Sequence, residues 1–391
     1  MKILFVYTDI TRQHGVYAKV KSHLEHLSKH SEIHVETLFY GDQISLQVKD
    51  DFSVKTTVVR TNPYTASPIL RQKLLWSWLY EKEMSTRFSQ IVEPIRKVKA
   101  DLVVMRDFPM TKSGVSFIRS IQDVSKVLLE SNTDIPSELK MKALNNEWAA
   151  LEFKKEWKYR PRVVKNICGV IAVTHELAQL ASKNGVPSER IHVFSNGIET
   201  GKVGVKDFPD TSILKGVFIA GTKSAWNGID RLQKSLEGYR GKVTLNIDVI
   251  GIEGEAQHLN NGCSIEYHKA LSSDELAQRL GEYHFGLSTL ALFRKNMREA
   301  SALKVRSYLA AGLPIVLAYD DTDIQSDYPF IHRVSNTEEA ISFEDVMVQF
   351  MPLFIPQTKL DIQKFVSIHL DIVRKQKKLI LFFEQILKQN A

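Results

Sequence analysis

The sequence contains only two cysteines, Cys168 and Cys263, which are far apart and lie in or beside apolar stretches. This excludes a disulfide framework and a thiolate metal site, and it fits a reducing cytoplasm. Uninterrupted apolar runs of about 18 residues are also lacking, so we expect no membrane-spanning helix. The apolar run at the N-terminus stops at Asp9 without a small-residue cleavage site, which indicates a buried strand and not a signal peptide.

Low-complexity tracts and short repeats are absent too, which excludes a disordered chain and a solenoid. The 391 residues suffice for two domains of ordinary size. The net charge of +7 fits an anionic partner or, equally well, a basic solubilising surface. Because the basic residues are scattered and form no recognition motif, we expect no nucleic-acid partner.

Short apolar, β-branched runs alternate with longer amphipathic stretches as far as Tyr319, which is typical of parallel strands joined by helices. The predicted fold class is therefore α/β. The predicted strands are Ile3–Tyr7, His34–Phe39, Thr56–Arg60, Leu102–Met105, Val127–Glu130, Gly169–Val173, Ile191–Phe194, Gly216–Ala220, Thr244–Ile250, Ser264–Tyr267, Phe285–Ser288 and Ile315–Ala318.

Glycines and a proline between residues 197 and 209 indicate a linker between two halves of the chain. We predict a Rossmann-like domain over residues 1–205 and a second one over residues 206–372. Apolar residues at helical spacing from Lys359 to Ala391 predict that a long helix or a helix pair closes the chain. We assign residues 373–391 to the last helix and expect it to pack back toward the N-terminal domain.

Gly15 follows the first predicted strand, where a helix begins. A glycine there lets the backbone approach a ligand near the free N–H groups of the helix, which favour anions or hydroxyls. The pattern G-x-G-x-x-G is absent, so a dinucleotide site is not indicated. A turn that binds nothing explains the glycine equally well.

The stretch from Ala300 to Ala311 predicts a helix that ends at Gly312 and is followed by a proline. A diphosphate bound at its free N–H groups would lie beside Glu299, whose carboxylate can accept hydrogen bonds from sugar hydroxyls. Lys304 and Arg306 add positive charge to the same element. The alternative is a surface helix with solvated cations.

Four short motifs follow one another along the chain. They are Asn196-Gly197-Ile198, the turn from Gly221 through Trp226-Asn227-Gly228, the loop with Gly251 and Gly254, and Glu299 followed by Tyr308-Leu309-Ala310-Ala311-Gly312-Leu313-Pro314. With the predicted strands they resemble the retaining family 4 glycosyltransferases of the GT-B fold, of the bacterial polysaccharide or glycoconjugate type. The resemblance covers nearly the whole chain and is strongest from Gly169 to Ala318. It implies two Rossmann-like domains facing across a cleft, a nucleotide diphosphate sugar bound mainly by the C-terminal domain, and transfer with retention of configuration.

Members of that family hold the donor with two glutamates separated by seven residues, the first on the sugar and the second on the ribose. Glu299 matches the first position, whereas the second falls on Ser307, which offers a hydroxyl in place of a carboxylate. The family's basic pair on the diphosphate falls on Thr222 or Lys223 and on Asn227. The resemblance therefore implies a donor site in which both contacts are rearranged.

A leaving diphosphate needs a cation as its negative charge develops. The candidates are Lys223, Lys304, Arg294, Lys295 and Arg298, and Lys304 is favoured for its place over the N-terminal half of the predicted helix. We expect Glu299 and Lys304 to be the catalytic residues. The expected donor-binding residues are Gly221, Lys223, Asn227, Leu271, Arg298, Ala300, Ser301, Leu303 and Ser307.

No H-E-x-x-H pattern and no cysteine pair occur, and the histidines are dispersed, so neither a metal nor another cofactor is expected. The densest acidic cluster, Asp320-Asp321-Thr322-Asp323, follows a predicted strand. A solvated loop is favoured there over a site for a divalent cation.

The resemblance places the acceptor, a saccharide, lipid-linked glycan or protein, in the N-terminal domain. The expected acceptor-side residues, at or near the carboxyl ends of predicted strands, are Gly15, Arg106, Asp107 and Glu130. A further stripe predicts a helix packed in the core or, alternatively, a basic amphipathic helix on an anionic membrane at the inner face. It consists of Leu70, Leu74, Leu75, Trp78 and Leu79, with Arg71, Lys73, Lys82 and Arg87 nearby.

Two alternatives to a transferase stay open. A nucleotide-sugar epimerase can have the same two-domain shape, because one fold serves several reactions. The replacements at Ser307 and Asn227 also fit a non-catalytic subunit that binds or stabilises an active transferase.

Overall fold

The computed structural model describes residues 1–11, 14–62, 73–144, 146–200 and 207–389. The chain divides into two compact units. The first comprises Met1–Arg12, Lys19–Phe194 and Gln376–Ala391, and the second comprises Gln13–Ala18 and Ser195–Lys375. The predicted domain boundary between residues 205 and 206 lies outside the described residues.

The first unit is built on a parallel sheet with helices between its strands. The strands are β1 Lys2–Thr8, β2 His34–Gly41, β3 Lys55–Arg60, β4 Leu102–Arg106, β5 Lys126–Ser131, β6 Gly169–Ala172 and β7 Ile191–Val193. The helices are α1 His14–Leu27, α2 Lys73–Val98, α3 Lys112–Ile121, α4 Ile135–Ala143, α5 Glu147–Val164 and α6 His175–Lys183. The strand order is β3-β2-β1-β4-β5-β6-β7, so the chain reverses direction across the sheet next to β1.

The second unit repeats this plan. Its strands are β8 Ile213–Ile219, β9 Thr244–Ile250, β10 Gln257–His258, β11 Ser264–His268, β12 Phe285–Leu287, β13 Glu299–Ala300, β14 Ile315–Leu317, β15 Asp320–Asp321 and β16 Ile331–Arg333. Its helices are α7 Ile229–Gly238, α8 Ser273–Leu280, α9 Leu303–Ala310, α10 Phe343–Phe350, α11 Pro356–His369 and the start of α12 Ile372–Lys388. The main sheet has the order β10-β11-β9-β8-β12-β14-β16, in which β10 alone pairs antiparallel, and β13 pairs with β15.

The predicted strands are all present, with ends within three residues of the prediction. The central strands are apolar runs because helices cover both faces of a parallel sheet. In β1, for example, Ile3, Leu4, Phe5 and Val6 are all at most 2% exposed. The prediction of an α/β fold with two parallel-sheet units is confirmed.

The predicted start of the helix at Ala300 is wrong, since α9 begins at Leu303. The residues Glu299–Ala300 instead pair with Asp320–Asp321 as two short parallel strands. The predicted end is close to the observed one, and Gly312 takes the left-handed conformation with φ of 75°. Three residues that were expected to be helical therefore form an extended segment in front of α9.

The C-terminal helix α12 belongs to the first unit from Gln376 onward. The Nε2 of Gln376 donates to the carbonyl oxygen of His23 at 2.8 Å. The Nζ of Lys126 donates to the carbonyl oxygen of Ile386 at 2.9 Å, near the end of the helix. These contacts attach the last part of the chain to the first unit.

Candidate functional site

The first turn of α9 lies at the carboxyl end of β8. The Nζ of Lys304 is 4.1 Å from the ring centre of Phe218, the second-last residue of β8. One turn later, the hydroxyl of Tyr308 accepts a hydrogen bond from the backbone N–H of Ile219 at 2.7 Å. Two aromatic contacts thus fix α9 on the end of this strand.

The ammonium group of Lys304 is buried and has no hydrogen-bond acceptor among the described residues. Burial lowers the pKa of this group to about 7 because the charged form loses its hydration. The alternative of a solvated cation at this position is therefore wrong. Near neutral pH the amine is partly uncharged, and an anion bound beside it would restore its charge.

The N-terminus of α9 has no side-chain cap. Ala302 occupies the N-cap position, and no side-chain hydrogen bond closes the first turn. The first N–H groups of a helix have no partner within the helix and favour anions. Glu299 and Ala300 precede this turn in β13 and are half-buried, as is Leu303.

The turn after β8 carries three of the predicted donor-binding residues. Asn227 is buried, and its Nδ2 donates to the carbonyl oxygen of Thr222 at 2.7 Å, so its amide holds the turn closed. Gly228 has a positive φ of 74°, which a side chain would strain. Gly221 and Lys223 are exposed.

Two of the other predicted cations are already engaged. Arg294 forms salt bridges of 2.7 Å with each of Asp230 and Glu338. Lys295 is buried, with its Nζ against an indole ring. The charge of Arg294 is therefore already neutralised by two carboxylates.

Ser301 and Ser307 use their hydroxyls within the protein. The Oγ of Ser301 accepts hydrogen bonds from the backbone N–H of Asn196 and from Arg306, both at 2.9 Å. The Oγ of Ser307 donates to the carbonyl oxygen of Leu303 at 3.2 Å. Both hydroxyls therefore stabilise the segment around α9.

The expectation of a solvated acidic loop after β14 is wrong for Asp321 and Asp323, although Asp320 is exposed, and the expectation of a solvated Arg306 is wrong as well. Arg306 is fully buried and forms ion pairs with Asp321 and Asp323. The Nη2 of Arg306 lies 2.9 Å from Oδ1 of Asp321, which is 3% exposed. The carboxylates face inward because they neutralise a buried guanidinium.

The predicted acceptor-side residues lie at the carboxyl edge of the first sheet. Arg106 ends β4 and stands in register with Glu130 on β5. Burial acts to raise the pKa of the Glu130 carboxyl, but Lys19, at 3.3 Å, and Arg106 hold it below its ordinary value. Asp107 follows β4 and forms a salt bridge of 2.9 Å with Arg160.

Gly15 lies in the first turn of α1, among the residues that group with the second unit. A Cβ added to Gly15 would lie 3.8 Å from Cδ1 of Leu303, an ordinary contact distance. The position therefore tolerates alanine sterically.

Two of the open cavities in the second unit are lined by predicted donor-binding residues. One of about 540 Å³ is lined by Lys223, and the other, of about 310 Å³, is lined by Arg298. Glu299 and Lys304 line neither of them. Leu271 lies between β11 and α8 and is half-buried.

Among the described residues, no three His, Cys, Asp or Glu side chains lie close enough to share a metal ion. No helix in this part of the chain is long and apolar enough to cross a bilayer. Of the predicted membrane stripe, Leu70 and Arg71 lie outside the described residues. On α2, Leu79 is buried whereas Leu75 and Trp78 are 38% and 52% exposed, so core packing explains only part of the stripe.

Sequence reasoning missed three residues of these clusters: Phe218, Lys19 and Arg160. Each contacts a partner distant in sequence, at a separation of 111 residues for Lys19 and 53 for Arg160. No local pattern signals such pairs, because the sheet topology brings them together.

We expect Lys304→Met to make the protein more stable at pH 7, by at least about 1 kcal/mol, because it removes a desolvated amine and keeps the contact with Phe218. The pKa of Lys304 is about 7 when folded and near that of a free lysine when unfolded, so the unfolded state binds more protons above pH 7. The free energy of unfolding of the wild type therefore rises relative to that of the variant as the pH rises above 7.

Urea unfolding from pH 6.5 to 9.5 measures this difference, with the exposed Lys223→Met as the control. The stability advantage of Lys304→Met should be constant below pH 7 and shrink above it. A loss of stability in Lys304→Met at pH 7 would mean that the ammonium has a stabilising partner.

The sequence matches no known protein-family model and no curated protein. The apo form of the lipopolysaccharide outer core galactosyltransferase WaaB is similar over 97% of this chain and 99% of its own, with a TM-score of 0.62 and 12% identity. Anabaena Alr3699/HepE in complex with UDP is similar over 98% and 100%, with a TM-score of 0.62 and 13% identity. The UDP-GlcNAc 2-epimerase of Neisseria meningitidis bound to UDP-GlcNAc is similar over 98% and 100%, with a TM-score of 0.52 and 12% identity. At this identity the similarities show the fold, and the chain has the GT-B fold.

Proposed function

We propose that this protein is a glycosyltransferase that takes a sugar, of the hexosyl type, from a nucleotide diphosphate donor held by the second unit. It transfers the sugar with retention of configuration and without a metal ion, to a saccharide, a lipid-linked glycan or a protein. The reaction belongs to glycan or polysaccharide biosynthesis in the cytoplasm.

The fold supports a nucleotide-sugar enzyme. HepE has been solved with UDP and with UDP-glucose, and the epimerase with UDP-GlcNAc. WaaB and HepE have the higher TM-scores, both 0.62 against 0.52 for the epimerase, which favours a transferase over an epimerase. UDP is therefore the first nucleotide to test.

The observation that carries the proposal is the buried ammonium group of Lys304 in the first turn of α9, which has neither a hydrogen-bond partner for this group nor a side-chain cap among the described residues. A lysine desolvated in this way destabilises the free protein unless an anion binds beside it. A diphosphate at this turn would receive hydrogen bonds from the free N–H groups and a full charge from Lys304. Both contributions grow as the leaving diphosphate gains negative charge, so both favour the transition state over the bound donor.

Glu299 would orient the donor sugar. It lies on β13, four residues before the start of α9, and its carboxylate can accept hydrogen bonds from two sugar hydroxyls. Ser307 and Asn227 would contribute less to donor binding than the residues at the same positions in the family that the sequence resembles. The hydroxyl of Ser307 and the amide of Asn227 are engaged in local hydrogen bonds. Gly221, Lys223, Arg298 and Leu271 would contact the nucleotide.

The acceptor would meet the carboxyl edge of the first sheet, where Arg106 and Glu130 lie with Lys19. Asp107 is paired with Arg160 and would act by holding this edge in place. Gly15 would allow close approach of a hydroxyl to the first turn of α1.

The experiment that tests the function is calorimetry with a panel of UDP-, GDP-, dTDP- and CMP-sugars, followed by an assay for nucleotide release. We expect one diphosphate sugar to bind and be slowly hydrolysed, and the CMP-sugar, which has a single phosphate, to bind much more weakly. Absence of binding across the panel would contradict the proposal and favour a non-catalytic subunit. Release of a free 2-epimer without an acceptor would instead show an epimerase.

We expect donor affinity to fall as the pH rises above 7. The free Lys304 has a pKa of about 7, and a bound diphosphate would raise it, so donor binding takes up a proton above that pH. The loss approaches about tenfold in affinity per pH unit. An intact sugar nucleotide suits this test because its diphosphate is already fully ionised, and its charge does not change near neutral pH.

Titrations from pH 6.5 to 8.5 on wild type, Lys304→Met and Lys304→Ala measure this dependence. Both variants should lose more than tenfold in turnover, and their donor affinity should not change with pH. Turnover and donor affinity of Lys304→Ala both within about twofold of wild type, under about 0.5 kcal/mol, would remove Lys304 from the site.

We also propose that the first unit contacts an anionic membrane that carries a lipid-linked acceptor. The exposed side of α2 presents Trp78 and Lys82, and α5 presents Trp157, which is 62% exposed, between Lys154 and Lys158. Indole rings favour the bilayer interface, and basic residues are attracted to anionic lipid.

Vesicle flotation tests this surface. Wild type should float with phosphatidylglycerol vesicles at low salt and less at high salt, and Trp78→Ser combined with Trp157→Ser should abolish flotation. Leu381→Ser is the matched control, because Leu381 is 64% exposed on α12 of the same unit. Equal flotation of the double variant and the control would exclude this surface.

A further inference from the structure

A second group of buried charges lies in the second unit, separate from Lys304. Arg306 is fully buried and Asp321 is 3% exposed, and their side chains form a two-point ion pair. Asp323 accepts from Arg306 and from Lys375, whose Nζ lies 2.6 Å from its Oδ1. Two cations face two carboxylates, so the cluster is neutral as a whole.

The cluster is attached to the segment between β13 and α9 through Ser301. Arg306 donates to the Oγ of Ser301 at 2.9 Å and, through Nε, to the carbonyl oxygen of Asn196 at 3.0 Å. Asn196 in turn donates its backbone N–H to the same Oγ at 2.9 Å and its Nδ2 to the carbonyl oxygen of Ser301. Ser301 is thus held on its side chain and on its backbone, and it stands between Glu299 and Lys304.

The cluster also binds both ends of the segment that forms most of the second unit. Ser195 begins this segment, and its hydroxyl donates to Oδ1 of Asp323 at 2.8 Å. Lys375 ends it and donates to the same carboxylate. The backbone N–H of Ile198 donates to the carbonyl oxygen of Leu370 at 2.8 Å, which joins the same two stretches a second time.

Burial of four charges is not an efficient way to stabilise a fold. The desolvation of a buried ion pair offsets much of its attraction, and apolar side chains of similar size often stabilise as well. What such a cluster provides is fixed geometry, because each donor has one place in which all of its acceptors are met. Binding groups require this fixing to within about 0.5 Å.

We infer that Arg306 is a positioning residue of the proposed donor site. Through Ser301 and Asn196 it holds the extended segment from Glu299 to Ala302 in the arrangement that receives the sugar of a sugar nucleotide. This inference rests on the proposed function. Arg306 does not touch the donor, and its effect passes through Ser301 to Glu299.

Two variants separate positioning from stability. Ser301→Ala removes the hydroxyl to which both Arg306 and Asn196 donate, and it leaves every ion pair and the direct bond from Arg306 to Asn196 intact. Arg306→Lys keeps the charge but cannot reach all the acceptors of the guanidinium. The matched control is Lys375→Met, which removes a charge of the same cluster. Among the described residues, the recorded hydrogen bonds of Lys375 go to Ser195 and Asp323, and none goes to Ser301 or Asn196.

Three quantities are measured. They are turnover and KM for the sugar nucleotide that wild type hydrolyses in the panel, the Kd for the matching nucleoside diphosphate, and the urea midpoint. Ser301→Ala and Arg306→Lys should lose at least tenfold in turnover with less than a threefold change in Kd for the nucleoside diphosphate, which lacks the sugar that Glu299 binds. Lys375→Met should keep turnover within threefold of wild type, while its urea midpoint falls at least as far as the midpoints of Ser301→Ala and Arg306→Lys. If Arg306→Lys does not fold, Ser301→Ala decides.

Turnover of Ser301→Ala within threefold of wild type would overturn the positioning role and leave the proposed function intact. A loss in Lys375→Met as large as that in Ser301→Ala would also overturn it, since general loosening of the cluster would then be the cause. A wild-type protein that binds no sugar nucleotide overturns the proposed function and this inference together.

Discussion

The ion pair between Arg306 and Asp321 is the interaction on which the arrangement of the second unit's site depends. It joins α9 to β15, and β15 pairs with β13, so the helix, the strand before it and the strand after β14 share one fixed point. Without the carboxylates, a guanidinium could not remain at this depth, because an uncompensated charge there costs several kcal/mol. The bond from Arg306 to Asn196 extends this fixed point to the segment by which the chain enters the unit.

Two residues before Arg306 on the same helix, Lys304 is a buried cation in the opposite situation. The carboxylates of Asp321 and Asp323 raise the pKa of Arg306 against the effect of burial, so its charge is permanent. Burial lowers the pKa of Lys304 to about 7, and the ring of Phe218 compensates only part of the lost hydration. One short helix therefore carries a cation that is used up in structure and a cation that can respond to an anion.

The strands could be predicted because a strand covered on both faces is an apolar run, and apolar runs are visible in the sequence. The start of α9 could not be predicted, because Glu299–Ala300 are extended through their pairing with Asp320–Asp321. These partners lie about twenty residues later in the sequence, after β14. The burial of the acidic stretch could not be predicted for the same reason, since nothing in the neighbouring sequence shows that Asp321 pairs with Arg306. Charge in a sequence does not tell whether its partner is water or another side chain.

For the candidate site, the type of residue was easier to predict than its role. Lys304 lies in the N-terminal half of the helix, as predicted, whereas Glu299 lies four residues before the helix, on β13, and not one. Asn227 stands where the family has a lysine, and in the structure its amide holds a turn through a hydrogen bond to the carbonyl oxygen of Thr222. Local hydrogen bonds of this kind depend on side-chain geometry, which composition and spacing do not contain.

The state of Lys304 bears on whether the protein still has a donor. A chain that no longer binds an anion at α9 gains stability from an apolar residue of similar size at this position, because the ammonium has no hydrogen-bond partner among the described residues and the ring of Phe218 compensates only part of its lost hydration. Local rules are broken in this way mainly where function requires it. A non-catalytic subunit that had lost its donor would have no use for such a lysine. A buried amine that has no hydrogen-bond partner in the described part of the chain, at a helix start with no side-chain cap there, therefore favours a site that still binds a diphosphate over one that has lost this ability.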